Sequence, residues 1–279
     1  MPLEVQSVGR TVGPRPYEPR WQDVVLYALG VGARRDELEF LYEKHGPKIL
    51  PTFAVVPAYP VVEELFGLVG GNPLGLVHGG QSVRVHRLAR PQGRWLTTGR
   101  VEGVYDLRRL ATAVLSTRTE DDTGTLLFET TWTLVYRFDG GFGGPPPPRR
   151  TRLLPPDRSP RWRRIERTVE EQALLYRLSG DLNPLHADPE VARAAGFEAP
   201  ILHGLCTFGF VGRAVLRAAC DGDPERLVAL HADFSRPVVP GQTLVVEGWD
   251  PDDGRIALRV SVEERPQEPV LTNVWAEVR

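Results

Sequence analysis

Residues 176–210 read YRLSGDLNPLHADPEVARAAGFEAPILHGLCTFGF, and the organisation of the whole chain follows from this stretch. Its first part, residues 179–188, sets an acid, an amide and an imidazole on one short loop: Asp181, Asn183 and His186. Gly180 permits a sharp turn because a residue without Cβ reaches positive φ at little steric cost. Pro184 fixes its own φ and pushes Asn183 out of the helical region. The segment is therefore expected to be a structured, non-helical turn. An Asp and a His on such a turn can share one water molecule. Histidine titrates nearest neutrality and can take and return a proton. Asp181 can accept from the water or the imidazole, and Asn183 can donate to the water oxygen. Singly, these are ordinary turn formers, and a lone loop histidine is usually just solvated. Their order carries the weight.

Downstream, Asp188-Pro189 opens a short helix that ends at Gly196, which makes Asp188 a cap and removes it from the catalytic candidates. Residues 203–220 form a long apolar helix whose run of Phe208, Phe210, Val211, Val215 and Leu216 must be buried nearly all round. Four strand-like segments close the chain, at 227–234, 243–249, 255–263 and 270–278. Upstream lies a short strand at 162–167. Thr168-Val169-Glu170-Glu171 then has the form of a capping box, with Thr168 as N-cap of a helix running to about Leu178.

The clearest boundary is GGFGGPPPPRR at 140–150, since four consecutive prolines suit neither a helix nor a sheet centre. Before it, residues 10–20 are rich in Pro and Gly and read as an irregular lead-in. A short helix follows to about Leu29, stopped by Gly30 and Gly32, then a second short helix at 36–44. The stretch around 52–62, broken at Pro51, Pro57 and Pro60, reads as irregular or edge-type structure, and 61–68 as the long helix of this half. Strands are expected at 82–88, 94–106, 111–120 and 124–138.

The chain thus reads as one unit used twice. Leu26-Tyr27-Ala28-Leu29-Gly30 echoes Leu175-Tyr176-Arg177-Leu178 before Ser179-Gly180, and each half runs helix first and strands last. A long helix wrapped by an antiparallel sheet is the hotdog arrangement, so the expected fold is α+β, a double hotdog. The expected division is 1–144 for the first half, 145–160 for a Pro-rich linker and 161–279 for the second half. Gly30 is followed by Val31-Gly32-Ala33-Arg34-Arg35, with no acid, amide and imidazole. The second half is therefore expected to carry the chemistry and the first to shape the cavity, with the broken stretch at 50–68 leaving room for a tunnel.

S-G-D-x-N-P-x-H at 179–186, followed by A-D-P and P-I-L-H-G-L, resembles the signature of the type 2, R-specific enoyl-CoA hydratases of the MaoC-like group, including the hydratase part of the peroxisomal multifunctional β-oxidation enzyme. The resemblance extends to YALGVGA at 27–33, LPTFAVV at 50–56, VHGGQ at 77–81, GGFGG at 140–144 and RPVVPGQTL at 236–244. It implies a hydro-lyase that adds water to trans-2-enoyl-CoA and gives a (3R)-3-hydroxyacyl-CoA. It also implies a double hotdog. Asp181 and His186, assisted by Asn183, would hold the water. Charge pushed to the thioester oxygen would be stabilised by a backbone N–H at a helix N-terminus, here that of Gly204. His203 would be a positioning or structural residue. The coenzyme end maps onto His78, Gly79, Phe234 and a basic residue at Arg108 or its neighbour Arg109. The family carries Lys near that last position. No separate cofactor is expected, because CoA belongs to the substrate, and a homodimer is expected. Two other readings share much of this pattern: a dehydratase serving an acyl-carrier protein, and a hotdog thioesterase or acyl binder.

Composition bounds the partners. Net charge is −2 with no basic block, which argues against a nucleic-acid partner held by phosphate neutralisation. Cys206 and Cys220 have no CxxC spacing or histidine cluster, so neither a metal nor a disulfide framework is indicated. No uninterrupted apolar run is of membrane-spanning length. The N-terminus lacks the apolar core of a signal peptide, and Ala276-Glu277-Val278-Arg279 is not a peroxisomal SKL-type address. The expected compartment is the cytosol.

Overall fold

The computed structural model describes residues 3–149, 152–250 and 254–279. Arg150 and Thr151, inside the expected linker, lie outside the described residues. In chain order the first half holds β1 (Thr11–Tyr17), α1 (Trp21–Gly30), α2 (Leu38–Leu41), α3 (Val55–Val69), β2 (Leu76–Val85), β3 (Trp95–Asp106), β4 (Ala111–Asp121) and β5 (Leu126–Tyr136). The second holds β6 (Trp162–Arg167), α4 (Gln172–Tyr176), α5 (Pro189–Ala194), α6 (Gly204–Ala219), β7 (Leu227–Phe234), β8 (Thr243–Trp249), β9 (Arg255–Val262) and β10 (Leu271–Val278).

All ten strands form one antiparallel sheet in the order β1-β3-β4-β5-β2-β7-β10-β9-β8-β6. Each strand of the first half has its counterpart at the mirrored place in the second, which is the order a two-fold repeat of one unit requires. The seam is the pairing of β2 with β7, from Gly80↔Asp233 to Arg84↔Ala229. Helix α3 packs on β1, β3 and β4, and α6 on β6, β7 and β2. This is a double hotdog. Alternation along β3, β4 and β5 turns Trp95, Leu115, Phe128 and Trp132 into the core.

Helix α6 is buried along Leu205 to Leu216, as its apolar run requires. Its Arg213, fully enclosed, donates from Nη1 to Glu37 Oε2 at 2.7 Å, from Nη2 to Glu166 Oε2, and from Nε to the Val31 carbonyl at 3.2 Å. Glu37 and Val31 come from the first half and Glu166 from β6, so one buried cation joins both halves.

Four expectations are corrected. Residues 10–20 contain strand β1, which pairs with β3 at the sheet edge, where Pro14 and Pro16 need give no hydrogen bond to a second neighbour. The stretch at 52–62 is helical: a single 3-10 turn, Pro51–Ala54, leads directly into α3. Pro57 stands in the first turn of α3, whose N–H groups lack intrahelical acceptors anyway, and Pro60 gives up one bond inside it. Leu50, Phe53, Val55, Ala58, Val61 and Leu65 are all buried, so this segment packs the core and the broken chain that was to leave a tunnel does not exist. Thr168 caps no helix, because its hydroxyl donates to the Gln242 carbonyl at 2.7 Å and α4 starts later, at Gln172. Strand β2 begins at Leu76 rather than 82. By length and composition Pro51–Val69 is apolar enough to cross a bilayer, but its packing on β1, β3 and β4 is that of a core helix.

Candidate active site

The loop after α4 is built as its residue types demand. A 3-10 turn at Arg177–Ser179 ends at Gly180 with φ 125°, and a second at Pro184–His186 is capped by Asn183, whose Oδ1 accepts from Leu185 N–H at 3.0 Å. The loop lifts Asp181 and His186 against the N-terminus of α6. One donor atom from each of Asp181, His186 and His203 lies within 4.8 Å of the others. Asn183 is the member of the expected trio that the loop turns outward. It is exposed and its carbonyl oxygen is spent on the cap, leaving only Nδ2 for a water.

Hydrogen bonds fix the histidine tautomers. A carbonyl only accepts, so His186 Nδ1–H donates to the Ile201 carbonyl at 2.8 Å and leaves Nε2 with a lone pair. His203 Nε2–H likewise donates to the Asp181 carbonyl at 3.1 Å, and its Nδ1 is buried with no hydrogen-bond partner among the described residues. The two imidazoles stack, with centroids 3.7 Å apart and planes 28° apart. Burial is the main reason both stay neutral. It lowers the pKa of His186 from 6.5 against the opposing pull of the Ile201 carbonyl and Asp181, and with His186 alongside it takes His203 down to about 3.

These three residues are the natural place to look for a metal. A cation must lie in the plane of each imidazole at about 2 Å from its nitrogen. Two rings stacked 28° from parallel have planes that meet well beyond that reach. The stack does not fit a ligand set.

Asp181 is held from two sides. Tyr59 of α3 donates its hydroxyl to Asp181 Oδ1 at 3.0 Å, and Asn183 N–H reaches the same oxygen at 3.2 Å. Burial, followed by the Asp181 carboxylate, raises the Tyr59 pKa, so this hydroxyl stays protonated. From Tyr59 a chain of rings runs round the site. Tyr59 touches Trp132 (centroids 6.1 Å), His78 stacks on Trp132 (5.0 Å, 9°), and Phe234 meets His78 edge-on (4.8 Å). Phe234 then lies over Gly204, where an added Cβ would stand 3.0 Å from its ring. His203 precedes Gly204 and returns to Asp181, which closes the circuit. Burial takes His78 down to about 4, opposed by its bond to the Gly80 carbonyl, so it too is neutral. Gly204 is the first residue of α6, and its N–H has no intrahelical acceptor.

Of the positions expected for the coenzyme end, His78 and Phe234 are in contact, and Phe234 also covers Gly204, the residue expected to stabilise the thioester oxygen. Gly79 sits at the register shift between His78 and Gly80, where a Cβ would stand 2.5 Å from Val135 Cγ2, so close packing alone accounts for the glycine. Arg108 lies in the exposed β3–β4 turn with φ 69° and its N–H on Asp106 Oδ1 at 2.7 Å. The registers Ala111↔Tyr136 and Leu76↔Tyr136 put that turn at the sheet end where His78 stands, two strands away. Tyr59 and Trp132 were not legible as site features. The phenol and the acid it meets are 122 residues apart, and no local spacing signals such a pair.

The "MaoC like domain" family matches residues 153–269 and the "MFE-2 hydratase 2 N-terminal domain" family residues 17–138. The 3-hydroxyacyl-thioester dehydratase Y of Mycobacterium tuberculosis is 38% identical over 94% of this chain and 92% of its own length. The peroxisomal enoyl-CoA hydratase 2 of Arabidopsis thaliana is 37% identical over 88% of this chain and 85% of its own. The crystal structure of a MaoC-like dehydratase from Phytophthora capsici superposes with a TM-score of 0.88 at 28% identity, covering 99% of this chain and 98% of that one. With one family match on each half and such identity across nearly the full length, the chain belongs to the MaoC-like, type 2 enoyl-CoA hydratase family.

Proposed function

We propose that the protein reversibly hydrates trans-2-enoyl-CoA thioesters to (3R)-3-hydroxyacyl-CoA, the handedness resting on the family. The observation that carries this reading is the meeting of Asp181 and His186, whose Nδ1 is bound to the Ile201 carbonyl and whose Nε2 keeps its lone pair, beside the N-terminus of α6, whose first N–H has no intrahelical acceptor. Water attached to Asp181 and His186 adds its oxygen to the β-carbon as one of these groups takes its proton. The π electrons move onto the thioester oxygen, where the Gly204 N–H stabilises the charge. Collapse of the enolate takes a proton at the α-carbon from the same pair. Asn183, turned outward, assists through its backbone N–H on Asp181 Oδ1 and the cap that shapes the His186 turn. No redox cofactor is called for, since the overall oxidation level of the substrate is unchanged and the thioester supplies the electron sink.

In the same reading, residues 161–279 carry the chemistry and 1–144 complete the cavity, joined by 145–160. His78, Gly79 and Phe234 meet the coenzyme end, with Arg108 or Arg109 at its phosphate. The proposed form is a cytosolic homodimer; the two free, buried thiols Cys206 and Cys220 are in keeping with a reducing compartment.

Crotonyl-CoA tests the reading. Hydration bleaches the conjugated enoyl absorbance without releasing thiol. Release of free CoA thiol would instead identify a thioesterase, and activity confined to acyl-carrier-protein substrates would identify the carrier-linked dehydratase.

A further inference from the structure

We infer that Tyr59, on the helix of the first half, is a positioning residue for the hydration step: its hydroxyl holds the Asp181 carboxylate so that Oδ2 faces the reacting water. The inference rests on the hydratase reading above and adds to it a residue from the half without the acid–amide–imidazole loop.

Three observations carry it. Tyr59 O–H and Asn183 N–H both end on Oδ1 of Asp181, at 3.0 and 3.2 Å, and among the described residues no donor reaches Oδ2. One oxygen is thus saturated by fixed donors and the other is left to accept from water, which a carboxylate free to rotate would not guarantee. The Tyr59 ring is itself held, set against Trp132 in the ring of contacts that runs through His78, Phe234 and Gly204 back to His203. Its hydroxyl therefore arrives from the wall opposite the loop that carries Asp181. The backbone under Tyr59 is stiffened on both sides. Pro57 and Pro60 bracket it in the first turns of α3, where each fixes its own φ, and Pro60 removes the bond to the Val56 carbonyl. A proline inside a core helix costs stability, and here it stiffens the turn that presents the Tyr59 hydroxyl to Asp181.

Tyr59→Phe deletes a single oxygen and keeps the ring on Trp132. With crotonyl-CoA, kcat should fall about ten- to hundred-fold, the size expected for losing a hydrogen bond to a charged group, while KM stays at the wild-type value. In a chain already carrying Asp181→Ala, the same change should leave the residual turnover where it was, because the donor has lost its acceptor. Thermal unfolding of each variant confirms that it is folded. Wild-type kcat in folded Tyr59→Phe would overturn the inference while leaving the hydratase reading intact. A raised KM at constant kcat would overturn it by making Tyr59 a substrate contact, and an equal loss in both backgrounds would reduce it to packing. A wild-type chain that does not hydrate crotonyl-CoA would remove the hydratase reading and this inference together.

Discussion

The bond from His186 Nδ1 to the Ile201 carbonyl decides which ring nitrogen is left to take a proton. In the proposed reaction that nitrogen must be unprotonated in the resting enzyme, and burial keeps it so by moving the pKa below 6.5. Activity is therefore retained as pH falls through 6.5 and lost only at the lower, depressed value. The acid limb of kcat/KM on crotonyl-CoA should lie below 6.5, and a limb above it would contradict this environment for His186. Folding follows the same sign. His203 and His78 titrate near 3 and 4 when folded but near 6.5 when unfolded, so the unfolded chain binds more protons between those values. Their stabilisation is complete above 6.5 and drains away towards 4, and the urea midpoint should be lower at pH 5 than at pH 7. At this scale the sequence order alone exposed Asp181 and His186, because a loop with Gly180 and Pro184 keeps its polar groups local. It could not expose Tyr59, which meets Asp181 only through the tertiary fold, nor the outward turn of Asn183, which depends on the cap it makes.

Helix α6 joins the loop to the proposed oxyanion position at Gly204, and this first residue has almost no room for change. A Cβ on Gly204 would stand 3.0 Å from two carbons of the Phe234 ring, so the ring must give way by a few tenths of an ångström. Gly204→Ala should lower kcat/KM about ten- to hundred-fold, the scale on which small misplacements act at a reacting centre. Phe234→Leu in the same chain should restore part of the loss, and no restoration would show that the harm lies elsewhere. Elements with a strong pattern were legible at nearly their true bounds, as α6 and strands β7 and β8 show. Those decided by distant partners were not. Pro57 and Pro60 read as breakers, yet burial of Val61, Val62 and Leu65 sustains α3 through them. The Thr168 hydroxyl had a better partner in the Gln242 carbonyl than in a helix N-terminus.

Across the whole molecule, the two-fold order of the ten strands and the buried Arg213 make the halves one cooperative body. Arg213→Leu removes the enclosed cation between Glu37 and Glu166, leaving them the longer ion pairs with Arg217 (3.5 Å) and Arg164 (3.9 Å), and should destabilise folding by up to about 3–5 kcal/mol, read from denaturant midpoints. Replacing all three residues by apolar ones of similar volume should cost far less, since it removes the uncompensated charge as well. The repeat itself was visible in the echo of Leu26–Gly30 by Leu175–Leu178, but the way in which the first half reaches into the chemistry of the second was not. The central claim is that Asp181 and His186 together handle the proton of the added water. It is tested most directly by crotonyl-CoA turnover in Asp181→Ala and His186→Ala, each shown to be folded by its unfolding transition. Each is expected to lose about a hundred- to ten-thousand-fold in kcat, and near-normal turnover in either folded variant would contradict the claim.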